Sequence, residues 1–158
     1  MTKEDEKFLR RAIELARKGM DTQVGGPFGA IVVKDGKIVG EGSNSVTSTN
    51  DPTAHAEVMA IREACRTLED FQLTDCVLYT SCEPCPMCLG AIYWAHISRV
   101  VYACSREDAA AVDFDDEFIY EEIARPFEER RIPMKQLLRA EGVEVFKVWS
   151  QKSDRLPY

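Results

Sequence analysis

"CVLYTSCEPCPMCLGAIYWA", residues 76–95, changes character in its middle. Residues 76–81 are a short run rich in β-formers, the composition of a buried strand. Pro84 breaks that run. The apolar residues after it predict a helix over 85–95, with a proline in its first turn. "RVVYAC", residues 99–104, reads as the next strand. Strand, helix and strand in succession predict an α/β fold with a substantially parallel sheet.

The same reading extends outward. Residues 4–18 carry Phe8, Leu9, Ala12, Ile13, Leu15 and Ala16 at helical spacing, so an amphipathic helix is expected to end at Gly19. "GAIVVKDGKIVGEG" (29–42) is two β-rich runs around Asp35-Gly36, a two-residue hairpin signal. "STNDPT" (48–53) is turn chemistry. It leads into an expected helix over about 54–68, with Thr53 as N-cap and Ala60, Ile61, Ala64 and Leu68 as apolar face. Beyond 105 the pattern weakens to a helix around 116–124, a strand at 132–138 and a helix near 142–152. One domain is expected over residues 1–158, which is long enough to bury about 70% of its unfolded surface.

Apolar residues are 45% and charged residues 30%, the profile of a globular protein. No apolar run approaches the roughly 20 residues of a membrane span, and the N-terminus lacks the apolar core of a signal peptide. Six cysteines without an export signal fit a reducing cytoplasm, where thiols bind metal or stay free. The net charge is −7, and residues 107–129 hold ten carboxylates against the single Arg125. Nucleic-acid binders need cationic patches to displace counterions, so this balance argues against a polynucleotide partner.

Two stretches carry the chemistry. Cys85 and Cys88, at i and i+3 of a helix start, put both sulfurs on one face, where the helix N-terminus favours thiolates. His55, in "TAHAEV", stands at another expected helix start and supplies a nitrogen. A sulfur and nitrogen set suits zinc, and three protein ligands leave the fourth tetrahedral position to water, the catalytic arrangement. Glu57 points about 200° away from His55 around an ideal helix, so it is expected beside the metal rather than on it. From there a carboxylate can take a proton from water and return it to a substrate.

The competing readings are plainer. Cys85 and Cys88 could be a redox pair, or a zinc knot with Cys82 as fourth ligand. Cys82 precedes the turn at Pro84, so it is read as a non-ligand. His96 follows the 85–95 helix and reads as a C-terminal cap or surface residue. Cys65, Cys76 and Cys104 read as small buried hydrophobes. The acidic run 107–129 reads mostly as a solvated face.

His55-Ala56-Glu57 with Pro84-Cys85-Pro86-Met87-Cys88 matches the H-x-E and P-C-x-x-C signature of zinc nucleobase deaminases. The chain resembles the cytidine deaminase superfamily and, within it, the bacterial-type guanine deaminases. The likeness runs through "GGPFGAIVVKDG", "NDPTAHAEVMAIR", "LYTSCEPCPMCLGAIYWA", "FDDEFIY", "EERRIP" and the terminal Tyr158. The zinc motifs belong to the whole superfamily, whereas "FDDEFIY" and the C-terminal aromatic look specific to guanine deaminases.

The resemblance implies a three-layer α/β/α sandwich around a five-stranded mixed sheet, with one Zn2+ per chain and a water or hydroxide as its fourth ligand. It implies hydrolytic deamination of guanine to xanthine and ammonia, in purine catabolism or salvage, with Glu57 moving the protons. Asn44 matches a position that hydrogen-bonds the purine. Asp116 matches a carboxylate facing the amino group, with Asp115 as its rival. Phe28, Trp94 and Tyr158 would wall the flat base; for Phe28 and Trp94 core packing is the competing role. The family also implies a domain-swapped homodimer, with a C-terminal segment (about 140–158) as an active-site lid. The partner is then a small purine base, with neither nucleic acid nor membrane. A tRNA adenosine deaminase shares the metal site but would want a basic C-terminal region, and residues 106–158 carry nine Lys and Arg against thirteen Asp and Glu. A non-enzymatic zinc-stabilised module would instead recruit Cys82.

Overall fold

A computed structural model describes residues 2–157. It contains α1 (Lys3–Asp21), β1 (Gly29–Lys34), β2 (Lys37–Ser43), α2 (Val46–Thr49), α3 (Ala56–Leu68), β3 (Val77–Cys82), α4 (Pro86–Trp94) and β4 (Arg99–Cys104). Then follow α5 (Arg106–Ala110), α6 (Glu117–Ala124), a 3-10 turn (Phe127–Glu129) and α7 (Arg139–Gln151). The chain divides into two compact units at Asp116/Glu117.

In the first unit the strands lie in the order β2-β1-β3-β4. Only β3 and β4 run parallel; β1 is antiparallel to both β2 and β3. The expected substantially parallel sheet is therefore a mixed one. The reason is local. Asp35 and Gly36 both take positive φ, 49° and 72°, so β1 folds straight back onto β2 through the tight turn that this pair favours. Among strands that are neighbours in the sheet, only β3 and β4 are joined directly through a helix, α4, the kind of crossover that parallel neighbours need.

The sheet has four strands, not five. Residues 132–138, read as a strand, form no regular element and pair with no strand among the described residues; Leu138 is left-handed (φ 51°). A strand is defined by its ladder, and β-forming side chains alone do not make one.

Both faces of the sheet are covered. Ile31, Val33 and Tyr79 face α1 through Phe8 and Ala12, while Ala30, Val32 and Leu78 face Ala56, Ala60, Ala64 and Ile92 of α3 and α4. Alternation along β1 and β3 thus feeds two cores, which is why both strands read as continuous apolar runs. Close approach of α3 depends on small residues. A Cβ at Gly42 would stand 2.3 Å from the Ala56 carbonyl oxygen, and one at Gly40 2.3 Å from that of Ala60.

Thr2 and Asp5 form a capping box that starts α1. Asp5 also accepts hydrogen bonds from Tyr79 Oη at 2.9 Å and Arg99 Nη2 at 2.7 Å. The arginine holds its carboxyl well below the usual carboxylate range, and the network ties α1 to β3 and β4. α1 runs one turn-fraction past Gly19, to Asp21. At the far end of α4, His96 takes the left-handed conformation (φ 56°) and donates to the Tyr93 carbonyl, closing the helix as expected of a cap.

Thr53 does not cap α3. Its backbone N–H and hydroxyl both donate to Asp51, at 2.8 and 2.6 Å, and the cap position falls to His55. Cys76 is buried and Cys65 half-buried, but Cys104 is exposed rather than buried, because β4 is the sheet's outer strand.

Candidate metal centre and active site

Two helix starts deliver three ligand atoms to one point. His55 is the N-cap residue of α3 and Cys85 that of α4; both have extended backbones (ψ 154° and 168°), and neither side chain caps its own helix. Pro86 occupies the first turn of α4, where its missing N–H costs nothing. Cys88 follows on the same turn, fully buried. His55 Nδ1 is 3.5 Å from Cys85 Sγ and 3.5 Å from Cys88 Sγ, and the three atoms lie within 4.8 Å of one another.

Those separations fit zinc. With Zn–S near 2.3 Å and Zn–N near 2.0–2.1 Å, a tetrahedral angle sets sulfur and nitrogen about 3.6 Å apart. One nitrogen and two sulfurs form the donor set that this ion prefers. Of the three donors only Cys85 is already poised as a thiolate, and a metal would have to displace protons from the other two. A hydrogen bond from Cys88, aided by His55, brings the Cys85 thiol down to about 4. The same Cys85–Cys88 bond, together with burial, pushes Cys88 upward, and Cys85 also raises His55.

Glu57, in the first turn of α3, is only 6% exposed. Its Oε2 accepts from Cys88 Sγ at 3.4 Å, and its Oε1 accepts from Thr80 Oγ1 at 3.3 Å. It stands beside the three-donor cluster and outside it. Burial raises its pKa above the ordinary carboxylate value, which suits a group that must take up and give back a proton near neutrality.

Cys82 is also outside the cluster. Its thiol donates to the Ser105 carbonyl at 3.5 Å, and burial holds it up to about 11. Among the described residues three donors therefore converge, and Cys82 is not a fourth.

The other expected site residues divide. Asn44 is buried, and its Oδ1 accepts from the N–H groups of Gly26 (3.1 Å) and Val46 (3.3 Å), which leaves the amide nitrogen as the donor for a ligand. Phe28 is half-buried and meets Phe114 edge-on, with ring centroids 4.9 Å apart. Asp116 is half-buried and Asp115 exposed; burial first, and then the charge on Cys85, raises Asp116.

Trp94 is not brought to the centre. It is 67% exposed at the C-terminal end of α4, about 13 Å along the axis from Cys85 at 1.5 Å per residue. That exposure also removes core packing as its role. Tyr158 lies outside the described residues.

Two neighbours of the site escaped the sequence reading. Phe114 was signalled by its place next to Asp115-Asp116, and Thr80 by a hydroxyl in an otherwise apolar strand.

Comparison with known proteins places this geometry. Residues 2–104 match the model of the cytidine and deoxycytidylate deaminase zinc-binding region. The chain is 56% identical to guanine deaminase of Bacillus subtilis over 97% of its length and 98% of that protein's. The X-ray structure of guanine deaminase from Bacillus subtilis superposes with a TM-score of 0.95 at 55% identity, covering 100% of this chain and 99% of that one. The tRNA-specific adenosine deaminase of Haemophilus influenzae is 40% identical over 71% of this chain and 68% of its own. The zinc-ligand spacing, the buried glutamate and these matches agree: the chain belongs to the cytidine and deoxycytidylate deaminase zinc-binding family.

Proposed function

We propose that this chain is a zinc-dependent aminohydrolase that converts guanine and water to xanthine and ammonia. The observation that carries the reading is the open three-donor centre with Glu57 Oε2 3.4 Å from the ligand sulfur of Cys88. Likeness to the Bacillus subtilis guanine deaminase over nearly the whole length selects the base.

Zinc held by His55, Cys85 and Cys88 would supply a water activated at neutral pH. Glu57 would carry two protons in turn, one from the attacking water to a ring nitrogen and a second from the hydroxyl formed at C2 to the amine that leaves. Asn44 donates through its amide nitrogen to a purine acceptor. Asp116 accepts from N1–H and the 2-amino group, the two donors that distinguish guanine from adenine. Phe28, braced by Phe114, stacks on the base.

Incubation of zinc-loaded protein with guanine, adenine, cytosine and guanosine separately, with ammonia measured, tests the substrate. Release from guanine, with at least tenfold less from the others, is expected. Ammonia from adenosine in a tRNA anticodon, with guanine untouched, would overturn the assignment. The thirteen carboxylates over residues 106–158 weigh against that outcome, because they oppose a polyanion.

We further propose a homodimer in which the C-terminal segment, about 140–158, closes over the partner's site. Two unpartnered surfaces support it. The outer edge of β4 has no ladder partner among the described residues, and Tyr102 on it is exposed. In the second unit Ile132, Met134, Leu137, Phe146 and Trp149 are all exposed, on the irregular stretch before α7 and on α7 itself. Large apolar side chains exposed in such number mark an interaction surface. Light scattering is expected to give twice the mass of one chain, and deletion of 130–158 to leave an inactive protein of altered mass. A monomeric, fully active full-length chain would exclude the swap. A cytoplasmic setting accords with six cysteines that are all free, and no described helix is long and apolar enough to cross a membrane.

A further inference from the structure

We infer that Thr80 is a positioning residue for the reaction: its hydroxyl fixes which oxygen of Glu57 faces the metal centre. The inference rests on the reading of Glu57 as the proton carrier.

Thr80 lies near the end of β3 and is 1% exposed. With Leu78 and Cys82 it occupies alternate positions of the strand, on the side that packs against α3. Its β-branched side chain is stiff about χ1, so the hydroxyl direction is set by the strand. A carboxylate has two equivalent oxygens and can rotate about its last bond, a broad and weakly restrained torsion. Here the two oxygens are distinguished. Oε1 receives Thr80 Oγ1 at 3.3 Å, and Oε2 receives Cys88 Sγ at 3.4 Å.

These two side-chain bonds do not survive equally. Cys88 binds a metal as a thiolate, and a thiolate has no proton to donate. Among the described residues, Thr80 is then the one side-chain donor left to Glu57. In a buried site that bond keeps Oε1 turned towards the sheet and Oε2 towards Cys88. Without it the carboxylate keeps its charge, its burial and the bond to its own backbone, but loses the side-chain contact that tells its two oxygens apart. A group misplaced by rotation loses rate in the chemical step while substrate binding is left alone.

The plain alternative is that Thr80 is an ordinary buried hydroxyl that needed an acceptor. The two roles separate in three variants of the full-length, zinc-loaded chain: Thr80→Val, which keeps the shape and removes the donor, Thr80→Ser, which keeps the donor, and Thr80→Ala. The readouts are kcat and KM for guanine, zinc per chain, and Tm.

Thr80→Val is expected to lower kcat by about 10–100-fold, the usual cost of losing a supporting hydrogen bond at a metal site, with KM, zinc content and Tm unchanged. Thr80→Ser is expected to restore kcat to within about threefold of the parent on the same reasoning. Parental kcat in Thr80→Val overturns the inference. So does a kcat loss in Thr80→Val and Thr80→Ala that merely tracks lost zinc or lowered Tm. The substrate reading fails separately, by absence of ammonia from guanine with the parent chain; the three variants are then compared on whichever base the parent does deaminate.

Discussion

Glu57→Gln is expected to reduce ammonia release from guanine by about 10³–10⁴-fold while one zinc per chain is retained. Glutamine has the same length and shape, so α3 and its packing on β2 and β3 are undisturbed. Its amide oxygen can still accept from Thr80 Oγ1. The other end becomes an N–H donor with no basic lone pair, so no proton can be taken up where Oε2 now lies 3.4 Å from Cys88. The size of the effect follows from burial. Glu57 is 6% exposed, and among the described residues no other carboxylate is seen to hydrogen-bond the three donors. Desolvation raises its pKa, which brings the proton affinity of the carboxylate closer to that of the groups it serves. Paired measurements of zinc and ammonia check the point. Activity within tenfold of the parent, at full zinc, would remove Glu57 from the mechanism.

How much of this was legible in the chain depends on how local the cause was. The hairpin at Asp35-Gly36 is decided by two residues that tolerate positive φ, and it formed where expected. The metal site was legible for a related reason. Cys85 and Cys88 are one helical turn apart, and that spacing alone puts their sulfurs together; His55 needed only a second helix start nearby.

Thr53 looked like a cap, but Asp51, two residues before it, takes its donors, a choice between two local patterns that composition does not decide. Elsewhere a residue's fate depended on distant partners. Cys104 looked like a buried hydrophobe because its strand is apolar, but burial depends on where the strand lies in the sheet. Trp94, assigned to the base by likeness, ends α4 nine residues after Cys85 and stands exposed in the single chain. The stretch 132–138, read as a strand, has no ladder partner among the described residues, and composition cannot supply one. Thr80 is the opposite case: its partner Glu57 is 23 residues away, so only the packing of α3 on β3 reveals the bond.

The second large effect is expected at the ligands, and it separates an open centre from a closed knot. Cys88→Ala should lower zinc affinity by more than about 100-fold, since losing only a hydrogen-bond partner behind a ligand costs 10–100-fold. The protein should nevertheless stay folded, because the core around Ile92, Leu78 and Ala60 is apolar and independent of the ion. Cys82→Ser should leave zinc at one per chain. The Cys82 thiol, held up to about 11 by burial and bonded to the Ser105 carbonyl, is a poor source of the thiolate that zinc requires. Affinity in the parent should weaken as pH falls, because protons compete with the ion at His55, whose pKa is raised by Cys85, and at Cys88, raised by the same neighbour. Zinc lost from Cys82→Ser as completely as from Cys88→Ala would mean four protein ligands and no open position. The catalytic reading would then give way to a structural one. Zinc kept in Cys82→Ser and lost in Cys88→Ala leaves the fourth position to water, next to the one buried carboxylate that can use it.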